Sequence, residues 1–323
     1  MTEIKSNYFK NRDLSFDIAK GMGIFLMVIG HTSIPKFVSS WIYSFHMPLF
    51  FLISGIFFNP TKYSSLLSFL IAKSRSLLIP YIIYLLVSEL LKLTCNTDNV
   101  TLWFLPVLFV TEIVFYVIIN LTAKVKCKHQ LCIFIITILA LIGYLFSLRG
   151  VRIPFDLQNV GHALIYYTFG YYFNGWLKKI CTTFWKVILM IVTYTIVVLF
   201  LPNLDMLSNY WGIFIISQIL AIVGTIIIIL SARIICTWND RNPLLSFFKW
   251  AGRNSIILVG FSIPFITVCN KVGGYFIEDT HTIWFSVIKH IAMWITMYYL
   301  SGFFLKYAPW IMGKYSNRIP SKY

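Results

Sequence analysis

The chain has 323 residues, 59% of them hydrophobic and 12% charged, and a formal charge of +16. A soluble domain is about a quarter charged, so this composition excludes a soluble globular enzyme, a disordered chain and a disulfide-stapled secreted domain. The six cysteines are scattered without a CxxC pair, which gives neither a disulfide framework nor a zinc site, and an integral membrane protein remains.

A spanning helix needs about 20 apolar residues. Residues 1–13 are polar and basic and lead into an apolar run. No small-x-small cleavage site ends that run, so it is read as an uncleaved first span. In chain order the apolar runs predict spans at 14–31, 42–58, 76–93, 102–121, 131–148, 160–176, 184–201, 211–235, 254–269 and 283–305. The eighth is long enough to tilt or to carry an interfacial turn, and the ninth is interrupted by Pro264. The expected fold is an all-α polytopic membrane protein of ten transmembrane helices, one domain over 1–323 with no room for a separate soluble one.

Charge placement orients it. With the N-terminus in the cytoplasm, only Lys36, Arg149, Arg152 and Lys271 of the 27 lysines and arginines fall on outer segments. Lys20, Lys92 and Lys289 fall within spans, and all the others fall on inner segments, counting Lys186 and Arg233 at the inner ends of their spans. A missed helix would invert every later loop, so the positive-inside rule supports ten spans with both termini cytoplasmic. The basic excess therefore orients the chain in the lipid bilayer of the cell membrane and is not a nucleic-acid footprint.

Ionisable residues inside spans are costly, roughly 2.5–3.5 kcal/mol each at a helix centre, so each needs a reason. The first span holds Asp17, Lys20 and His31. Lys20 and His31 are about three turns apart, on one face, roughly 16 Å along the axis, with Gly23 and Met27 between them. Asp17 can pair with Lys20 at i,i+3. This is either an interfacial pair with a snorkelling lysine and a wet helix end, or a functional stripe. The second span adds Ser44-Phe45-His46-Met47-Pro48, entered from the outside. Two imidazoles can converge there as an acid/base pair, and Pro48 kinks the helix or frees a carbonyl.

Other embedded groups say less. Glu89 and Lys92 can pair at i,i+3. Glu112 sits mid-span with no obvious local partner. Lys289-His290 either lines the same cavity or faces the outer interface. His162 reads as interfacial, and His129 as an inert loop residue. Lys73 and Arg75, before the third span, are either topological charge or a phosphate clamp.

The stretch Arg12-Asp13-Leu14-Ser15-Phe16-Asp17-Ile18-Ala19-Lys20-Gly21 through Gly30-His31, followed by Phe45-His46-Met47-Pro48-Leu49-Phe50-Phe51-Leu52-Ile53-Ser54-Gly55, resembles the opening of the acyltransferase 3 family. Leu102-Trp103-Phe104-Leu105-Pro106 and Gly252-Arg253-Asn254-Ser255 are similar to later family segments. The likeness leans toward the fucose 4-O-acetylase-like and exopolysaccharide-modifying branch. It implies a polytopic O-acyltransferase that moves an acetyl group from cytoplasmic acetyl-CoA to a hydroxyl of a glycan or lipid-linked sugar. The family's first-span motif, Arg then His after ten residues, falls on Lys20 and His31, so a cation is kept while bidentate anion binding is lost. Its later basic residues, which meet the donor's phosphates, fall loosely on Lys73 and Arg75. Where many members carry a His after the Asn-Ser segment, this chain has Phe261-Ser262.

The expected site is therefore His31 as general base or acyl acceptor. His46 shares the proton, orients His31 or stabilises the oxyanion, and Asp17 positions Lys20. Lys20, Lys73 and Arg75 hold the donor. No His/Cys/Asp cluster has metal-ligand spacing, so acetyl-CoA is the only co-substrate expected. The other class of protein open to the same charges is a transporter or glycan flippase, which no internal repeat supports.

Overall fold

The computed structural model describes residues 13–32, 34–95, 101–201, 204–239, 242–277 and 282–314. Lys5, Lys10, Arg12, Arg241, Arg318 and Lys322, used above to orient the chain or to carry the family motif, lie outside them. Among the described residues the structure is helical, with a single isolated β-bridge between Asp205 and Tyr210.

The helices are α1 (Leu14–Gly30), α2 (Lys36–Tyr43), α3 (His46–Ile56), α4 (Leu66–Lys73), α5 (Ile79–Cys95), α6 (Phe104–Thr122) and α7 (Lys128–Leu148), then α8 (Val160–Tyr172), α9 (Asn174–Leu177), α10 (Phe184–Phe200), α11 (Phe214–Cys236), α12 (Pro243–Arg253), α13 (Ser255–Gly273) and α14 (Ile283–Tyr307). A helix stands at each of the ten predicted runs. Among the described residues, six stretches are long and apolar enough to cross a membrane: Lys36–Ile56, Leu66–Lys92, Phe104–Thr122, Lys128–Leu148, Phe214–Cys236 and Ser255–Gly273. The shorter α10 is apolar too. This is an all-α polytopic membrane protein.

Three differences from the sequence reading have local causes. The second run is two helices, because Pro48 cannot donate to the Ser44 carbonyl and its ring would strike it. The chain breaks there, with Phe45 at φ −143°, and restarts as α3 with Pro48 tolerated in its first turn. The third run starts earlier, at Leu66, and passes through a π-turn at Ser74–Leu78. Such one-turn widenings re-aim side chains and are frequent at functional sites. The stretch read as a cytoplasmic loop before the ninth run contains α12, capped by Asn242 on the Leu244 amide at 2.9 Å.

α1 lies at the centre, against α12, α11 and α3. Asp13 caps its start, its carboxylate accepting from the Ser15 amide at 3.1 Å. Without a hydrophobic force between helices in lipid, close backbone approach is what holds them together. Gly21 of α1 faces the Phe248 carbonyl and Gly252 of α12 faces the Asp17 carbonyl, so closely that a Cβ at either would strike main chain. A Gly252→Val change should therefore cost more than the ~1–3 kcal/mol of ordinary overpacking, since a carbonyl cannot turn aside as a side chain can. Scanning fluorimetry in detergent should show a clearly lowered melting temperature; an unchanged one would mean that the contact is loose.

Candidate active site

α1 presents Ile24, Met27 and His31 on one stripe, at the i, i+3, i+7 spacing of a helix face. These three line a pocket of about 480 Å³, counting the space at its open mouth. The α2–α3 break contributes Tyr43, His46, Met47 and Phe50, and Trp103 and Phe104 supply aromatic wall. The two imidazoles expected to converge thus share one pocket. His31 follows the last residue of α1, its amide bonded to the Met27 carbonyl at 3.2 Å.

Tyr43 stands between the imidazoles. Its ring centroid is 5.7 Å from that of His31 and 5.3 Å from that of His46. Its hydroxyl donates to the Gly30 carbonyl at 2.6 Å, which ties the end of α1 to α2. His46 is buried, and its Nδ1 lies 3.0 Å from the Ile42 carbonyl. A carbonyl only accepts, so Nδ1 carries the proton of that bond and the neutral ring keeps its lone pair on Nε2. The bond runs back across the α2–α3 junction.

At the other end of α1, Asp17 is buried to 3% side-chain exposure and holds two cations. One carboxylate oxygen is 3.2 Å from Lys20 Nζ and the other 3.2 Å from Arg253 Nε. The predicted Asp17–Lys20 pair forms, and Arg253, quoted above only as part of a motif, completes it. Arg233 pairs with Asp13 at 3.2 Å and also donates to the Leu177 and Lys178 carbonyls at the end of α9.

Lys73 and Arg75 stand away from the imidazole pocket, on the last residue of α4 and the π-turn. Lys73 Nζ is 2.8 Å from Glu112 Oε1 and 5.7 Å from the Phe69 ring centre. Glu112, at 5% side-chain exposure, thus has its partner in another helix rather than none. Lys289 donates to Asn270 at 2.7 Å, and His290 Nδ1 sits 2.6 Å from the Ser286 carbonyl of its own helix. Neither lines the pocket of His31 and His46. His162 is not interfacial: it is fully buried, stacked on Trp211 at 3.4 Å and 3.3 Å from Gln218.

Sequence reasoning missed Tyr43 and Asp205, both of which line the pocket. The available signals were an aromatic three residues before His46 and a lone acid between two apolar runs.

Fold and family together make this a membrane-embedded acyltransferase. The chain belongs to the acyltransferase 3 family, whose model, described as an acyltransferase domain, matches residues 13–302. No curated protein matches the chain, and no solved structure matches it.

Proposed function

We propose that the protein is an O-acetyltransferase that moves an acetyl group from cytoplasmic acetyl-CoA to a hydroxyl of a surface glycan or lipid-linked sugar in the cell membrane. The observation that carries this reading is the polarity of α1. One end bears Lys20 and Arg253 on a buried carboxylate, and the other bears His31 beside His46 in a pocket. Acetyl-CoA has the matching polarity, with phosphates at one end and a thioester at the other. Lys20, with Lys73 and Arg75, holds the phosphates, and the thioester reaches the imidazoles.

His31 is the base. The acceptor O–H bond breaks as its oxygen attacks the thioester carbonyl, and the imidazole takes the proton. The tetrahedral intermediate collapses, the C–S bond breaks, and the imidazolium returns the proton to the departing thiolate. His46 shares that proton through the lone pair on its Nε2. The aromatic walls fit the apolar face of a sugar ring.

The test is acetyl-CoA turnover by the purified protein in nanodiscs. Slow CoA release that accelerates when a glycan acceptor is added is the expected result. Folded protein that neither binds nor consumes acetyl-CoA would overturn the reading, and a glycan flux assay would then test the transporter class.

A further inference from the structure

Residues 204–211, between α10 and α11, roof the pocket with Asp205, Met206 and Leu207. The roof is built and pinned. Asp205 and Tyr210 exchange backbone hydrogen bonds of 2.8 and 2.9 Å. Asn159 Nδ2 donates to the Met206 carbonyl at 2.9 Å, and Ser147 Oγ donates to that of Asn209. Trp211 stacks on His162.

Within this roof the Asp205 carboxylate accepts from the Leu207 amide at 3.0 Å and from the Ser208 hydroxyl at 2.6 Å. Two donors fix its orientation. It is the one acidic side chain among the described residues lining the pocket, and it shares that lining with His31. The other polar rings facing His31 are Tyr43, whose hydroxyl is spent on the Gly30 carbonyl, and His46. Neither supplies negative charge.

We propose that Asp205 is a positioning residue of the transfer reaction: from the roof, it stabilises the positive charge that His31 acquires when it takes the acceptor's proton. The inference rests on the acetyl-transfer reading above. The proton balance is the one already given, with Asp205 neither gaining nor losing a proton.

The competing role for Asp205 is to hold the loop, and two variants separate the roles. Asp205→Asn keeps an oxygen for the Leu207 amide, turns an NH2 toward the Ser208 hydroxyl, which can accept from it, and removes the charge. Ser208→Ala removes a loop bond and keeps the charge. Asp205→Asn should lower kcat about 10- to 100-fold with the KM for acetyl-CoA unchanged, Ser208→Ala should stay close to wild type, and Asp205→Glu should recover part of the loss. Near-normal kcat in Asp205→Asn, or an equal loss in Ser208→Ala, would overturn the inference. Should Asp205→Asn fail to fold, the neutral Asp205→Ser takes its place, and a folded Asp205→Ser with near-wild-type kcat would overturn the inference as well. Wild-type protein without turnover would instead overturn the acetyl-transfer reading itself.

Discussion

Replacing His31 with Ala should lower acetyl transfer by about 10²–10⁴-fold, the range that a positioned general base contributes, while acetyl-CoA still binds. The separation follows from where the groups sit. His31 lies past the end of α1, in the pocket, whereas the cations assigned to the donor lie at the start of α1 and on the α4–α5 junction. Folding should be little affected, because His31 is half-exposed and the tie between α1 and α2 is made by the Tyr43 hydroxyl to the Gly30 carbonyl. His46→Ala is the necessary companion. Its Nδ1 is committed to the Ile42 carbonyl, so the mutation also removes a fold contact and should cost stability as well as rate. A larger loss of kcat in His46→Ala than in His31→Ala, with both proteins folded, would move the base to His46 Nε2. Transfer surviving in both variants would remove the imidazoles from the mechanism.

The helices were legible because long apolar runs have one solution in lipid: a helix satisfies its own backbone. The stripe that carries Met27 and His31 was legible for the same reason, since helical period alone puts them on one face. What stayed hidden depended on partners distant in sequence. The mate of Glu112 is Lys73, on another helix, and no local spacing announces it. α12 read as a loop because Lys249 and Arg253 mask its short apolar face, and its place against α1 depends on Gly21 and Gly252 meeting main chain. His162 looked interfacial because it begins a run. Its burial comes from Trp211, which the roof carries over it. The roof itself has no period to read. It is a short irregular segment whose shape is set by Asn159 and Ser147 from other elements, so Asp205 became a site residue only in three dimensions.

Lys73→Met should destabilise the protein by about 3 kcal/mol, the low end for breaking a buried ion pair, and the double variant Lys73→Met/Glu112→Gln should restore most of that. Glu112 is 5% exposed and Lys73 22%. Removing the lysine therefore leaves a carboxylate with little access to water, and the cost is that of an uncompensated buried charge rather than of a lost attraction. The partial exposure of Lys73 puts the cost at the low end of that range, and the loss of its Nζ contact over the Phe69 ring adds to it. Neutralising both members removes the stranded charge, and two neutral side chains of similar size can occupy the same space. Thermal unfolding in one detergent, as a double-mutant cycle, measures this. Equal losses in the single and double variants would show that the pair contributes through packing alone. The folded double variant then tests the donor role of Lys73 separately. If the lysine also meets the phosphates of acetyl-CoA, stability returns while the KM for the donor stays raised. If both return to wild type, Lys73 serves the fold, and the donor's phosphates fall to Lys20, Arg75 and the Arg253 side of α1.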